Sequence, residues 1–172
     1  IDAALELYRQ HHPDPSRIEK VEVDVTEHGI VNRPTPRTGL EGKFSVQYVV
    51  TVALLDGKIG IDTFTDERRF SPDVESLLPK VRARPDPSIT EDIMHTHAIV
   101  TVTLSDGQVC QTRCDKPRGM WGVPLSRQER LVKYRDCTYR AVSAETAERI
   151  LELVDRFEEQ PNVAELMDLV RG

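Results

Sequence analysis

Apolar and polar residues alternate along two segments of this chain, and an alternation with a period of two predicts β-strands. The first segment runs from Ile18 to Val25 and the second from His95 to Leu104. The second is followed by Asp106-Gly107, a pair that favours a tight hairpin turn, and then by Gln108 to Cys114. We therefore expect an antiparallel hairpin here, and a further short strand from Val81 to Arg84.

Apolar residues that recur every three or four positions predict helices elsewhere. The chain opens with such a pattern at Ile1, Ala4, Leu5 and Tyr8. A second helix is expected from about Phe44 to Leu55. Because this segment is apolar on nearly every face, the helix should be buried.

Capping signals mark the start of two further helices. Ser71-Pro72-Asp73 has the order of cap, first-turn proline and acid that begins a short helix. Ser126 and Glu129 form a capping box for a helix that runs to about Cys137. A last short helix is expected from Val163 to Val170. One more helix is expected before it, with an inner stripe of Ala147, Ile150, Leu151, Val154 and Phe157.

The composition favours one compact domain. The chain has 172 residues, of which 38 % are hydrophobic and 30 % charged, enough for a real core. Strands and helices in separate runs, with no internal repeat, predict an α+β fold: a two-layer sandwich with a mostly antiparallel sheet packed against helices. The chain opens inside a helical pattern, without Met or a capping residue. We therefore expect residues 1–172 to be the C-terminal domain of a longer protein.

Charge and cysteine content narrow the classes of function. A net charge of −6 argues against nonspecific binding of nucleic acid, which needs a basic surface. No apolar run approaches the roughly 20 residues of a membrane span, so no membrane partner is expected. Cys110, Cys114 and Cys137 form no C-x-x-C pair, and their odd number does not describe a disulfide framework. The reducing cytoplasm is the expected location.

The segment from Asn32 to Tyr48 carries the strongest candidate chemistry. Arg33, Arg37 and Lys43 place three cations within eleven residues of a loop broken by proline and glycine. The loop leads into the apolar helix, whose first N–H groups would be unpaired and would attract an anion. Arginine adds forked hydrogen bonds to a carboxylate, and lysine adds a mobile point charge. We therefore predict a site for a small anionic ligand.

Two residues at the start of that helix are further candidates. Ser45 is a candidate substrate-binding residue. Tyr48 is a candidate catalytic residue, because a buried phenol needs a partner for its hydroxyl. The alternative is that Tyr48 is a core tyrosine bonded to a backbone carbonyl, and that Arg33, Arg37 and Lys43 belong to a solvated loop. Spacing alone leaves both interpretations open.

Three other features of the sequence give weaker indications of function. His95 and His97 would put two imidazoles on one strand face, as some metal sites do, but no third ligand has convincing spacing. The cysteines are interpreted as packed or partly exposed thiols rather than ligands of an iron–sulfur cluster. Trp121 lies in a loop rich in glycine and proline, where a subunit contact, a cover over the site and a core anchor are all open interpretations.

Five segments together carry a resemblance to a known family. They are Asn32-Arg-Pro, Glu41-Gly-Lys-Phe-Ser-Val-Gln-Tyr48, Ala53-Leu-Leu-Asp-Gly57, Val100 to Gly107 and Pro124-Leu-Ser126. In this order they resemble the C-terminal domain of the MmgE/PrpD family, which includes 2-methylcitrate dehydratase, cis-aconitate decarboxylase and iminodisuccinate epimerase. The most specific of them is the Gly-Lys-Phe-Ser-Val-Gln-Tyr run before Leu-Leu-Asp-Gly.

The resemblance implies a two-domain enzyme whose larger, helical N-terminal domain is not part of this chain. Such enzymes act on di- and tricarboxylic acids, without a metal or organic cofactor, at a site between the domains. The family's active-site tyrosine falls on Tyr48, while its lysine motif, its histidines and its acid belong upstream of Ile1. We expect a homodimer. Dehydration of a 2-methylcitrate-like acid is the first choice of reaction because it typifies the family.

The implied chemistry fits the residues of the loop. Removing a proton next to a carboxylate builds up an enediolate-like dianion, which needs fixed cations and hydrogen-bond donors. Tyr48 would donate to that oxygen or to a departing hydroxyl, or relay a proton, and Arg33, Arg37 and Lys43 would bind the other carboxylates. Within the family, decarboxylation and epimerisation stay open. Outside it, the alternative is a noncatalytic interaction or oligomerisation module.

Overall fold

The computed structural model describes residues 1–27, 31–92 and 94–171. The chain forms two compact units, Ile1–Pro124 and Leu125–Gly172. The interpretation of residues 1–172 as a single domain stays a prediction.

The first unit combines a four-stranded sheet with helices. Its strands have the order β2-β1-β3-β4, in which β1 is parallel to β2 and antiparallel to β3, and β3 is antiparallel to β4. The predicted α+β fold with a mostly antiparallel sheet is therefore confirmed. In chain order the elements are α1 (Asp2–His11), β1 (Ile18–Val25), α2 (Val46–Asp56), α3 (Asp66–Arg69), α4 (Pro72–Leu77), β2 (Val81–Pro85), β3 (Ala98–Leu104) and β4 (Val109–Cys114).

The pairing of the strands follows their alternation. Val21 and Val23 of β1 lie opposite Val102 and Val100 of β3, so the valines share one face of the sheet. The hairpin between β3 and β4 turns at Gly107, whose φ of 84° needs a residue without a β-carbon. The predicted hairpin is confirmed. The predicted start of this strand, at His95, is wrong, because β3 begins at Ala98. His95 and His97 precede the strand and do not share one of its faces.

Helices α1 and α2 cover the valine face of the sheet. The apolar side chains of both helices and of the strands form one buried cluster, which stabilises the unit by removing apolar surface from water. It contains Ala3, Ala4, Leu5 and Leu7 of α1, Val50, Ala53 and Leu54 of α2, and Ile18, Val21, Val23, Val81, Val100, Val102 and Leu104 of the strands.

Helix α2 is buried on nearly all sides, as its sequence predicts. Besides its contact with the sheet, it places Tyr48 and Val52 in a second cluster with Val74 and Leu78. The helix ends at Gly57, which takes the left-handed conformation with a φ of 64°. Only its start differs from the prediction. Residues Glu41–Phe44 form a separate 3-10 turn, so Phe44 lies outside the helix.

The second unit is helical, with α5 (Arg127–Thr138), α6 (Ala144–Asp155) and α7 (Ala164–Arg171). The predicted capping box of Ser126 and Glu129 is present at the start of α5. The predicted stripe of α6 is wrong at its end, because Val154 and Phe157 are each 51 % exposed. The physical reason is that Leu153 takes the inward position and the helix stops at Asp155, which leaves Phe157 in a short 3-10 turn.

Candidate functional site

Ser45 defines the start of α2. Its backbone is extended, with a φ of −114° and a ψ of 108°, and its side-chain oxygen accepts a hydrogen bond from the backbone N–H of Tyr48 at 3.0 Å. A serine in this position caps the helix by pairing an N–H group that would otherwise have no partner. Ser45 is 1 % exposed. Its role as a substrate-binding residue stays a prediction.

The cationic loop, residues 31–44, contains Arg33, Arg37 and Lys43, and three hydrogen bonds attach its start to the start of α2. They join three successive loop residues to the cap and the first two residues of the helix, which holds the loop in one position. The bonds run from Val46 N to Val31 O (2.9 Å), from Gln47 Nε2 to Asn32 Oδ1 (2.6 Å) and from Ser45 Oγ to Arg33 O (2.6 Å).

These bonds correct one expectation about the helix start. The N–H groups of Val46 and Tyr48 are already hydrogen-bonded, to Val31 O and to Ser45 Oγ, so they are not available to an anion. Two of the N–H groups that were expected to attract an anion are therefore already paired. The anion site stays a prediction that rests on the side chains of Arg33, Arg37 and Lys43.

Each of the three loop cations has its own local partner. The guanidinium of Arg33 lies 5.6 Å from the ring centre of Phe44, and the Lys43 ammonium lies 5.4 Å from that of Phe64. Contacts of this kind attract a cation to the face of an aromatic ring. The side chain of Arg37 is 87 % exposed and reaches Glu41 at 3.4 Å.

Glu41 introduces a negative charge among these cations. It accepts a hydrogen bond from the backbone N–H of Arg37 at 2.8 Å, and this bond, with the charges of Arg37 and Arg33, lowers the pKa of the Glu41 carboxyl below its usual value. The carboxylate is therefore ionised at neutral pH. It compensates part of the positive charge that the sequence suggested.

Tyr48 faces away from the solvent. It is fully buried, and its hydroxyl donates to the backbone carbonyl of Thr63 at 2.5 Å. Burial raises the pKa of the phenol, and the charges that act on that pKa belong to Arg68, Arg69, Asp56 and Asp73. The geometry is that of the alternative given above, a core tyrosine bonded to a carbonyl. The catalytic role of Tyr48 stays a prediction.

Arg68 and Arg69, which were not among the candidates predicted from sequence, hold this region together. Arg69 is only 3 % exposed, and its Nε donates to the carbonyl of Pro36 in the cationic loop at 2.8 Å. Arg68 forms forked pairs with Asp56, at 2.7 and 3.0 Å, and with Asp73, at 2.8 and 3.0 Å. Asp73 lies only five positions from Arg68, but Asp56 lies 12 positions from Arg68 and Pro36 lies 33 positions from Arg69, so no local pattern identified those two pairs.

Gln47 is a further residue that sequence reasoning left without a role. It is 2 % exposed, and its Nε2 donates to Asn32, while its Oε1 is buried without a partner among the described residues. An unpaired buried amide oxygen is rare in folded proteins and calls for an explanation. The available signal was a single amide within a helix that is otherwise almost entirely apolar.

One cavity, of about 80 Å³, adjoins this region: it is lined in part by Val31, Asn32 and Val46 and lies next to the end of β1. Another, of about 230 Å³, lies in the second unit, where Arg149 and Arg156 pair with Glu152 and Glu159. Within the described residues, no three His, Cys, Asp or Glu side chains are grouped so that they could hold a metal ion.

Trp121 is not a core anchor. Its side chain is 80 % exposed, and the ammonium of Lys116 lies 5.7 Å from its ring centre. That interpretation of the loop is therefore wrong, and a subunit contact and a cover over the site stay as predictions.

None of the helices that the structure describes combines the length and the apolar character needed to cross a membrane.

The fold and the loop thus define the class of protein: an α+β domain in which a cationic loop is hydrogen-bonded to the capped start of a buried helix. A family model described as the MmgE/PrpD C-terminal domain matches residues 1–159. The chain therefore belongs to the MmgE/PrpD family, and the resemblance found in the sequence is confirmed.

Individual relatives are similar over nearly all of this chain. Cis-aconitate decarboxylase of Mus musculus is 29 % identical over 178 residues, which cover 99 % of this chain and 36 % of that protein. Cis-aconitate decarboxylase of Homo sapiens is 30 % identical over 155 residues, which cover 90 % of this chain and 32 % of that protein. A cis-aconitate decarboxylase-like protein of Aspergillus oryzae is 23 % identical over 180 residues. The chain thus spans about one third of the length of these relatives.

Proposed function

We propose that this chain is the C-terminal domain of a lyase that acts on a small tricarboxylic acid, with decarboxylation of a cis-aconitate-like substrate as its reaction. The observation that carries the proposal is the attachment of the cationic loop to the start of α2, which holds Arg33 beside Phe44. A fixed cation stabilises developing negative charge better than a mobile one. Similarity to cis-aconitate decarboxylases supports the choice of substrate and reaction.

The proposed reaction breaks one carbon–carbon bond. As CO2 leaves, the electron pair of that bond is delocalised onto the conjugated system of a remaining carboxylate, and a proton from a general acid then gives an unsaturated dicarboxylic acid. Arg33, Arg37 and Lys43 would bind the carboxylates that stay behind and stabilise the added charge. Ser45 would contribute by holding the Arg33 backbone. The proposed step uses neither a metal nor an organic cofactor.

Tyr48 is the proposed proton-transfer residue of this chain. To act on the substrate, its hydroxyl must exchange the Thr63 carbonyl for a substrate oxygen, because the two are bonded in the structure. The remaining catalytic residues would come from the helical N-terminal domain implied by the family. A homodimer in the cytoplasm is part of the same proposal.

Dehydration of a 2-methylcitrate-like acid is the competing reaction within the family. It shares the carbanion step and differs in the group that leaves, a hydroxide instead of CO2. The two reactions are separable by their products. A noncatalytic interaction module would give no product at all.

The test uses the full-length protein with cis-aconitate and with 2-methylcitrate, without added metal, and follows the products by NMR. Release of CO2 with formation of a dicarboxylic acid from cis-aconitate supports the proposal. A new double bond formed from 2-methylcitrate alone would replace decarboxylation by dehydration. No product from either acid would contradict the lyase assignment.

A pair of variants tests whether the loop binds the substrate. Arg33→Gln should raise KM about 10- to 100-fold, because a hydrogen bond to a charged group is lost. Arg113→Gln is the matched control, since Arg113 is an exposed arginine that pairs with Asp115 on another part of the unit. An equal KM for both variants would remove Arg33 from the site.

A further inference from the structure

The loop residues next to α2 direct their acceptors inward. Val31 and Arg33 each use their backbone carbonyl, and Asn32 uses its side-chain Oδ1, as acceptors for donors at the start of the helix. Asn32 is exposed, and Nδ2 is the donor that its amide has left. Among the described residues, no acceptor in the protein pairs with that Nδ2. The side chain of Asn32 therefore offers a donor, and the next residue along the chain, Arg33, carries a guanidinium near the Phe44 ring.

Gln47 accounts for the orientation of this amide. Burying an amide with an unpaired oxygen destabilises a protein, and an apolar side chain of the same length would avoid that loss. Gln47 nevertheless occupies a buried position in the first turn of an apolar helix, and its one side-chain hydrogen bond within the described residues goes to Asn32 Oδ1. Its effect is to decide which edge of the Asn32 amide faces the helix.

We infer that Asn32 is a carboxylate-binding residue and that Gln47 is a positioning residue that aims the Asn32 donor at the substrate. The inference rests on the proposed function for the nature of the ligand. A carboxylate is a suitable ligand because it only accepts hydrogen bonds, while Asn32 Nδ2 and the Arg33 guanidinium only donate them. In the proposal, these two donors, one neutral and one charged, come from successive residues and bind carboxylate oxygens of the substrate.

Asn32→Asp isolates the outward donor. Aspartate keeps an oxygen that can accept from Gln47 Nε2, so the loop stays attached, but it replaces the donor by a second, negatively charged oxygen. We expect the dissociation constant of propane-1,2,3-tricarboxylate, an unreactive tricarboxylic acid, to rise about 10- to 100-fold in the full-length protein. KM for cis-aconitate should rise by a similar factor, while kcat changes less than about threefold.

Asn162→Asp is the matched control. Asn162 is exposed, and its Oδ1 accepts from the backbone N–H of Ala164 at the start of α7, a role that aspartate also fills. The substitution adds the same charge to the protein at a different place. It should leave both the dissociation constant and KM unchanged.

Gln47→Met tests the positioning role. Methionine fills the space without an unpaired oxygen, so the melting temperature should stay equal or rise, while the freed Asn32 amide loses its orientation. We expect KM to rise about threefold to tenfold with kcat nearly unchanged. A purely structural role would instead lower the melting temperature and leave KM as in the wild type, and that result would overturn the role of Gln47.

The outcomes separate this inference from the proposed function. Equal dissociation constants of the tricarboxylic acid for the wild type and the Asn32→Asp variant would overturn the role of Asn32, whatever reaction the enzyme performs. Wild-type protein that binds the acid, loses affinity with Asn32→Asp but releases no CO2 from cis-aconitate supports the inference and contradicts the decarboxylation. Wild-type protein that does not bind the acid contradicts both.

Discussion

The hydroxyl of Tyr48 donates to the backbone carbonyl of Thr63 at 2.5 Å. This bond joins the first turn of α2 to the 3-10 turn Ile61–Phe64, fifteen residues along the chain. The tyrosine ring also lies close to Gly42, where a β-carbon would be 2.3 Å from Tyr48 Cδ1. One side chain thus connects the cationic loop, the buried helix and the segment that follows it.

Replacing Tyr48 by phenylalanine separates its structural from its catalytic role. The Thr63 carbonyl would lose its donor, and we expect the free energy of unfolding to fall by about 1–3 kcal/mol. If the phenol also transfers a proton to the substrate, kcat should fall about 100-fold or more at temperatures far below unfolding. The measurements are the melting temperature and the steady-state kinetics of the full-length protein.

Tyr134→Phe provides the matched control for this change. The hydroxyl of Tyr134 donates to the carbonyl of Ala147 at 2.6 Å, so the same type of bond is lost in the second unit. We expect a lower melting temperature with normal kcat. A normal kcat for Tyr48→Phe as well would limit that hydroxyl to holding the fold.

Gly42→Ala should destabilise the protein by crowding. The new methyl group would lie against the ring of Tyr48, which is fully buried. Overpacking of this kind costs about 1–3 kcal/mol. Gly107→Ala is the contrasting variant, because nothing lies within 4 Å of its β-carbon and only its φ of 84° opposes the change. Denaturant unfolding of both variants gives the comparison, and a smaller loss for Gly42→Ala would contradict the close contact.

Ser45→Ala should affect stability and substrate binding together. The variant loses the cap of α2, which is worth about 0.5–2 kcal/mol, and it also frees the backbone carbonyl of Arg33. We therefore expect a lower melting temperature and a higher KM. Ser143→Ala removes a comparable cap, the one that pairs the N–H of Thr146 in α6, and should lower only the melting temperature. An unchanged KM for Ser45→Ala would show that the cap has no influence on the loop.

Asp73 makes the stability of the folded protein depend on pH in the acid range. Its hydrogen bonds from Arg68 lower the pKa of the carboxyl from 3.8 to about 2 in the folded protein. Because the folded state holds the proton less tightly than the unfolded state, the pair stabilises the fold above the unfolded pKa. That contribution is lost as the pH falls from about 4 to about 2. Its size is reduced by solvent, since half of the Asp73 side chain is exposed.

The Asp73→Asn variant tests this dependence. It should be less stable than the wild type at neutral pH, and the difference between their melting temperatures should shrink as the pH falls through the window from about 4 to about 2. A difference that stays constant down to the acid end would show that ionisation of Asp73 does not contribute. The remaining carboxylates act on both proteins alike and cancel in the comparison.

The strands and most helices could be predicted because their signals are local. The period of two in Ile18–Val25 gave the bounds of β1, and the Ser126–Glu129 capping box gave the start of α5. The predicted start of α2, at Phe44, is two residues too early. Residues Glu41–Phe44 form a 3-10 turn directly before the helix, and only the extended backbone of Ser45 in the structure shows that the two are separate. The prediction that Val154 and Phe157 face inward was wrong for a related reason, since nothing in the sequence pattern marks the end of α6.

The sequence by itself determined the fold class, the position of the cationic loop ahead of α2 and the family, because periodicity, turn residues and motif order are properties of neighbouring residues. Tertiary structure alone decided where the side chains of that loop and helix are directed. Tyr48 meets Thr63, Arg69 meets Pro36, and Gln47 meets Asn32. Each of these bonds joins residues at least fifteen positions apart, and each exists because burial forces a polar group to find a partner wherever the fold brings one.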